Sequence, residues 1–243
     1  MFNIIVVDDY DQVSSEAFKV MRDVMRKENP VLGLATGSSP VGLYKKMIAD
    51  HNTNGTSYKN VVTFNLDEYI GIPKSHDQSY FTFMHENLFD YIDVPEENIH
   101  IPVGETDDPE GECAKYEEEL QKYTVDLQVL GIGSDGHIAF NEPGTPFDSL
   151  THVMELEEQT RRDNARFFDD NIDLVPTHAV TMGLASIMRA KKILLVATGA
   201  NKADAVYDMI KKSPSTDCPA SILQNHDDVT VVLDREAAAK IVE

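Results

Sequence analysis

Hydrophobic positions along this chain follow two different spacings. Short runs rich in Val, Ile and Leu alternate with longer stretches in which apolar residues recur every three or four positions beside Lys, Arg and Glu. The short runs predict strands at 2–7, 31–35, 61–65, 127–131, 192–198 and 229–233. The amphipathic stretches predict helices, among them 14–27 and 110–123. This alternation is typical of an α/β fold, with a doubly wound, mostly parallel sheet and helices on both faces.

Composition narrows the classes of function. The chain contains 42 Asp and Glu against 21 Lys and Arg, which gives a net charge of −21. Such a charge repels phosphate backbones and anionic lipid, so we expect neither a nucleic acid nor a membrane as partner. Cys113 and Cys218 have no zinc-binding or redox spacing, and the opening MFNIIVVDDY has no signal-peptide pattern. We therefore expect a cytoplasmic protein whose residues 1–243 form a single domain.

The residues that follow the 31–35 strand are candidates for anion binding. Ligands of open α/β sheets bind beyond the carboxyl ends of the strands, and here the chain reads ATGSSP before a helix that we expect to start near Pro40. Gly37 permits close backbone approach, while hydroxyls and a helix N-terminus can donate to a phosphate. An ordinary turn capped by Ser or Thr fits the same residues equally well.

Carboxylates follow the 61–65 strand, where FNLDEY places Asp67 and Glu68 at the end of an apolar run. A carboxylate at the mouth of a sheet can act as a general base. An aspartate at the end of a strand is also a common turn or cap residue, so this motif alone leaves both interpretations open.

Titratable side chains are densest after the 127–131 strand. The stretch GSDGHIAFNEPG places Asp135, His137 and Glu142 within eight residues, a density of titratable groups that favours a functional role over a structural one. The same three residue types can bind a metal, but no HxxxH or HExxH spacing completes a ligand set. A metal site is therefore the minor hypothesis for these residues.

Basic residues cluster in TRRDNARFF, and Lys202 follows the 192–198 strand. Because Lys and Arg are scarce in this chain, three neighbouring arginines suggest an anion site. A solvated helix face remains an alternative.

These segments together resemble the glucosamine-6-phosphate deaminase family. ATGSSP, FNLDEY, LGIGSDGHIAFNEPG, TRRDNARFF and the 199–202 turn are similar to its hallmark stretches and occur in its order across almost the entire chain. Phosphogluconolactonases are related and share a Gly-x-Asp-Gly-His stretch, but they do not normally have a glutamate in an Asn-Glu-Pro context, as Glu142 is here. The resemblance implies a Rossmann-like fold of the deaminase/phosphogluconolactonase type.

The resemblance also implies a reaction. It is the cofactor-free conversion of glucosamine 6-phosphate and water into fructose 6-phosphate and ammonia, by ring opening and aldose–ketose isomerisation through an enolamine. His137, with Asp135 and Glu142, would open the ring, and Asp67 would move a proton from C2 to C1. The substrate would be bound by Thr36, Gly37, Ser38, Ser39, Arg166 and Lys202.

The resemblance bears on regulation as well. Allosteric hexamers of the family bind an effector through basic residues after the Asn-Glu-Pro stretch, where this chain has His152, Met154 and Glu155. The C-terminal extension of those hexamers is also missing from the 243 residues. We therefore expect a monomer or a simple non-allosteric homo-oligomer, with 151–175 acting as a lid. Sugar-responsive regulators resemble this fold too, but a first strand at residue 2 and the acidic balance favour an enzyme.

Overall fold

The computed structural model describes residues 2–242. Its strands are β1 Asn3–Val7, β2 Val31–Leu34, β3 Val62–Asn65, β4 Asp67–Tyr69, β5 Ile99–His100, β6 Leu127–Leu130, β7 His152–Glu155, β8 His178–Thr181, β9 Ile193–Ala197 and β10 Val229–Asp234. Its α-helices are α1 Tyr10–Val24, α2 Ser38–Asn54, α3 Tyr80–Asn87, α4 Pro109–Gln121, α5 Glu158–Asn164, α6 Leu184–Ile187 and α7 Ala203–Lys211. Short 3-10 helices occur at Phe89–Tyr91, Glu96–Asn98, Ala165–Phe167, Ile172–Leu174, Ala200–Lys202 and Pro219–Asn225.

A seven-stranded sheet forms the centre of the molecule, in the order β1-β10-β9-β6-β2-β3-β5. Every neighbouring pair in it is parallel. The six predicted strands all belong to this sheet, and each end falls within a single residue of the prediction. β5 was not predicted, because two residues carry no pattern. The α/β class, with a parallel sheet flanked by helices, is confirmed.

The interior strands explain why their sequences are continuously apolar. Every residue of β6, β9 and β10 is buried. A parallel strand covered by helices on both faces has no solvent side, so hydrophobic and polar residues need not alternate along it. The hydrophobic core formed around these strands fixes the position of the sheet, and with it the edge from which the loops after the strands extend.

Strand order reverses between β2 and β6, which are neighbours in the sheet. β3 and β5 follow β2 on one side, whereas β9 and β10 follow β6 on the other. A crevice forms beyond the carboxyl ends of the strands at such a switch point, and ligands of open α/β sheets bind there. The loops that follow β2 and β6 therefore flank the expected position of a site.

A smaller antiparallel sheet, in the order β4-β8-β7, was not predicted. β4 has only three residues and β7 has no buried residue, so neither shows an apolar period. Leu66 joins the two sheets: its N–H donates to the Leu34 carbonyl at 3.3 Å, and its own carbonyl accepts from Met182 N at 2.7 Å. The chain thus passes from one sheet to the other across a single residue.

One predicted helix start was wrong, and local capping explains it. α1 begins at Tyr10 rather than at residue 14, because the Asp9 side chain caps it by accepting from Gln12 N. α2 begins at Ser38, near Pro40 as predicted. None of the helices formed within residues 2–242 combines the length and the apolar character needed to cross a bilayer.

Candidate active site

The turn after β2 opens directly into α2. Gly37 occupies the N-cap position with φ 85° and ψ 178°, a conformation that favours glycine, and it provides no side-chain cap. The alternative of a Ser or Thr cap is therefore not the arrangement found. Tyr10 braces this first turn, since its Oη donates to the Ser38 carbonyl at 2.8 Å and accepts from Gly42 N at 2.7 Å. The N–H groups of a helix start attract anions.

Asp67 is the first residue of the smaller sheet and pairs with Thr181 of β8. Asp67 is only 6% exposed. Burial raises the pKa of Asp67 to about 8, with the neighbouring charge of Glu68 adding to the rise and His137 opposing it. A carboxylate with a raised pKa is a stronger base than an exposed one, which suits proton abstraction from carbon.

Glu68 points away into the start of α3. Its carboxylate accepts from the backbone N–H groups of Tyr69 at 2.9 Å, Tyr80 at 2.9 Å and Phe81 at 3.0 Å. These contacts keep the acidic pair Asp67-Glu68 in two separate environments. Glu68 is a structural acceptor at the helix N-terminus, and Asp67 is free for chemistry.

His137 lies between two carboxylates. Its Nδ1 is 2.8 Å from Asp135 Oδ1 and 3.5 Å from Glu142 Oε2. Burial alone would lower the pKa of His137, but contacts with Asp135 and Glu142 raise it to about 9. Burial likewise opposes the shift of Asp135, yet His137 lowers the pKa of that carboxyl to about 2. An imidazolium flanked by carboxylates is the resulting state at neutral pH.

Backbone geometry holds the His137 loop close to the sheet. Gly133 N donates to the His137 carbonyl at 2.9 Å, and a Cβ at position 133 would lie 2.4 Å from His137 Nδ1. The buried Asn141 amide donates to the carbonyls of Ile138 and Met182, each at 2.9 Å. Only glycine fits at position 133, and Asn141 fixes the far end of the loop.

The basic groups reach the crevice from two other elements. Arg166 lies in the turn Ala165–Phe167, with its guanidinium 4.6 Å from the centre of the Phe167 ring. Lys202 ends the turn that follows β9. Burial lowers the pKa of Lys202, an effect that Asp163 opposes and Arg166 reinforces. Two cations in a partly dry crevice attract an anion.

A cavity of about 560 Å³ lies at the switch point. It is lined by most of the predicted site residues, namely Thr36, Gly37, Ser38, Ser39, Asp67, His137, Arg166 and Lys202. Asp135 and Glu142 do not line it, because they lie behind His137 at its Nδ1 edge. The segments singled out in the sequence therefore meet at one place.

The family described as glucosamine-6-phosphate isomerases/6-phosphogluconolactonase matches residues 10–232. The chain belongs to this family. A glucosamine-6-phosphate deaminase of Clostridium botulinum (strain Alaska E43 / Type E3) is 50% identical over 238 residues, which cover 97% of this chain and 95% of that protein.

Solved structures agree with the family membership. A monomeric glucosamine-6-phosphate deaminase is 44% identical, with a TM-score of 0.95 over 98% of this chain and 99% of that chain. A 6-phosphogluconolactonase from Trypanosoma cruzi is 21% identical, with a TM-score of 0.80 over 100% of this chain and 98% of that chain. At 21% identity, the similarity to the lactonase structure shows a shared fold alone.

In this member of the isomerase/lactonase family, uncharged side chains that the sequence did not indicate also line the cavity. These residues include Tyr69, Gln78, Tyr80, Asn164, Phe168 and Asn201. Tyr69, Asn164 and Phe168 stand inside the stretches FNLDEY and TRRDNARFF, but a neutral side chain carries no titratable signal. Gln78 and Tyr80 fall outside every motif, so nothing in the sequence indicates them.

Asp135, His137 and Glu142 also satisfy the spacing of a small metal site. One ligand atom from each lies within 4.8 Å of the others. Metal binding requires a neutral histidine, whereas the two carboxylates stabilise the protonated ring. The proton and a metal ion would therefore compete for the same nitrogen.

Proposed function

We propose that this member of the family is a glucosamine-6-phosphate deaminase that acts in the breakdown of amino sugars. The observation that supports this most directly is that Asp67 and His137 line the same cavity as Arg166 and Lys202. A base, an acid and a pair of cations suit an isomerisation on a phosphorylated sugar. The named relative at 50% identity supports the same activity.

Ring opening is the role of His137. As an imidazolium it donates a proton to the ring oxygen while the C1–O5 bond breaks, and it regains a proton from the O1 hydroxyl as the aldehyde forms. Asp135 and Glu142 hold the ring through Nδ1, so Nε2 is the nitrogen that serves the substrate. These carboxylates also keep the imidazolium charged at neutral pH.

Isomerisation is the role of Asp67. Its carboxylate removes the C2 proton while the His137 imidazolium returns a proton to O1, which gives an enolamine. Asp67 then delivers its proton to C1, which yields the protonated imine of fructose 6-phosphate. Addition of water to that imine releases ammonia and the ketose. Each positioned proton transfer contributes roughly 10²–10⁴ in rate, so two such groups supply a large acceleration from protein side chains.

Phosphate recognition rests on the start of α2 with Arg166 and Lys202. The chain carries a net charge of −21, which repels a dianion at long range. Charges beyond about 8 Å are largely screened at physiological salt, however. Each hydrogen bond to a charged group contributes roughly 1.5–3 kcal/mol, so local donors outweigh the distant field.

Residues 151–175 serve as a lid over this cavity. The segment contributes Thr160, Arg166 and Phe168 to the wall, and Glu157 N donates to Glu142 Oε1 at 3.2 Å. The N-cap residue of α5 is thereby hydrogen-bonded to the Glu142 carboxylate, which lies behind His137. Closure of such a segment excludes water from the enolamine.

The decisive experiment incubates chelator-treated protein with glucosamine 6-phosphate and follows fructose 6-phosphate and ammonia together. We expect both products at equal rates. Ammonia-free binding would instead support an effector-binding role. If added divalent metal restored activity lost on chelation, the cluster of Asp135, His137 and Glu142 would be a metal site.

A further inference from the structure

A buried tyrosine hydroxyl makes a direct contact with the lid. Tyr69 is the last residue of β4 and is 2% exposed. Asn164, the last residue of α5, donates from Nδ2 to Tyr69 Oη at 2.9 Å. The turn that carries Arg166 begins at the next residue. The Tyr69 hydroxyl therefore holds the lid two positions before its phosphate-binding cation.

Aromatic neighbours fix the Tyr69 ring in the second hydrophobic cluster. Phe168 of the lid lies edge-on at 5.7 Å between ring centres, Phe140 lies at 5.5 Å and Tyr80 at 4.9 Å. Such pairs favour a defined ring orientation. Because the ring cannot turn freely, the position of its hydroxyl is set by the core, and Asn164 adapts to it.

Tyr69 also shares a strand with the proposed base. Asp67 and Tyr69 are two residues apart on β4, so their side chains lie on the same face of the strand, and both line the cavity. β4 is hydrogen-bonded to β8, and β8 to β7, which is part of the lid segment. A short rigid path thus connects the carboxylate to the Arg166 turn.

We propose that Tyr69 is a positioning residue that sets the distance between the Asp67 carboxylate and the Arg166 guanidinium, and so selects amino sugars phosphorylated at C6. This inference rests on the proposed function. Tyr69 itself transfers no proton. Its hydroxyl fixes the position of the Asn164 amide, and Asn164 directly precedes the turn that carries Arg166. The Arg166 guanidinium is thereby held at a defined distance from C2 of the substrate.

The test is a double-mutant cycle with Tyr69→Phe, Asn164→Ala and the double variant. Tyr69→Phe should raise KM for glucosamine 6-phosphate by about 3- to 10-fold, the value of one hydrogen bond, and leave kcat within about twofold. Asn164→Ala should raise KM similarly. The double variant should be no worse than Tyr69→Phe, because that change already removes the hydrogen bond from Asn164 as well as the one from Tyr80 Oη at 3.4 Å.

Free glucosamine separates a positioning role from a structural one. Its kcat/KM should be unchanged in Tyr69→Phe, since it has no phosphate for Arg166 to read. Tyr58→Phe is the matched control, because Tyr58 is equally buried and does not line the cavity. Its KM should equal that of the parent.

Three results would overturn the inference: additive losses in the cycle, equal losses on both sugars, or an unchanged KM in Tyr69→Phe. Should Tyr69→Phe fail to fold, Asn164→Ala reports the same contact from the lid side. An inactive parent protein would refute the proposed function instead, so the two failures are distinguishable.

Discussion

Single residues in this cavity owe their chemistry to their surroundings. Asp67 and Glu68 are adjacent in sequence, yet Glu68 accepts three backbone N–H groups while Asp67 is left in a dry crevice. His137, by contrast, lies beside charged groups, because the Asp135 and Glu142 carboxylates both approach its Nδ1. Burial raises the pKa of Asp67 and the two carboxylates raise the pKa of His137, and perturbed pKa values of this kind cluster at functional sites.

Replacing the proposed base should abolish carbon chemistry while the fold remains. Asp67→Asn keeps the size of the side chain but removes the proton acceptor. We expect solvent-hydrogen exchange at C2 to fall by at least about 10²-fold. Exchange is followed by NMR in deuterated water, and a variant that exchanged at the parental rate would contradict the assignment.

The pH profile should be bell-shaped. Asp67 must be ionised, so kcat/KM rises with pH through about 8, and His137 must be protonated, so it falls through about 9. Glu142→Gln removes a negative charge beside His137 and lowers its pKa. The alkaline limb should therefore move to lower pH. An unmoved limb would mean that Glu142 does not act on the titrating group.

Phosphate recognition should depend on Arg166 and Lys202, the two cations that line the cavity. Lys202→Ala or Arg166→Ala removes a charged donor, which corresponds to a loss of about 10- to 100-fold in kcat/KM for glucosamine 6-phosphate. Lys211→Ala, on the exposed last turn of α7, is the control and should have no effect. Equal losses on free glucosamine would show that neither residue reads the phosphate.

Among the elements, those with a strong apolar signal were predictable. β9 and β10 are buried along their whole length, so the sequence shows them directly. β4 and β7 are short or half-exposed, and their pairing depends on β8, which is far away in sequence. The titratable residues of the candidate site were predictable because they cluster directly after predicted strands. Tyr80 and Gln78, by contrast, reach the cavity only through tertiary packing.

The carboxylate of Glu117 links α4 to Thr151, the first residue of the proposed lid. Glu117 accepts from Thr151 Oγ1 at 2.6 Å and Ser186 Oγ at 2.8 Å, and it pairs with Arg189. Burial alone would raise the pKa of Glu117, but these hydrogen bonds lower it from 4.5 to about 2. A lowered folded-state pKa means that the contribution to stability is complete above about pH 4.5 and is lost as the pH falls towards 2.

Glu117→Gln should therefore lower the free energy of unfolding at pH 7 by about 1–3 kcal/mol, because charged hydrogen bonds are replaced by weaker ones. Its stability should also fall less steeply than that of the parent between pH 4.5 and 2. Urea unfolding at several pH values measures both effects. Glu118→Gln, on the exposed side of α4, should match the parent.

At the scale of the whole molecule, the expectation of simple kinetics stays a prediction. β7 presents His152, Met154 and Glu155, which offer little positive charge to an effector phosphate. Allosteric coupling requires a ligand that distinguishes two states. We expect hyperbolic rate curves, and a monomer or a simple non-allosteric homo-oligomer in sedimentation experiments. Sigmoidal curves that become hyperbolic on addition of N-acetylglucosamine 6-phosphate would contradict this.

The junction at Leu66 has a consequence for how the molecule opens. The seven-stranded sheet has fully buried interior strands, whereas the three-stranded one is short and rests on a small cluster. Regions with fewer buried contacts unfold locally at lower free energy and as cooperative units. The smaller sheet carries the proposed base on one edge strand, and its other edge strand, β7, is part of the proposed lid. Local unfolding beyond Leu66 would therefore disable proton abstraction and release the lid in one event, while the larger sheet stayed folded.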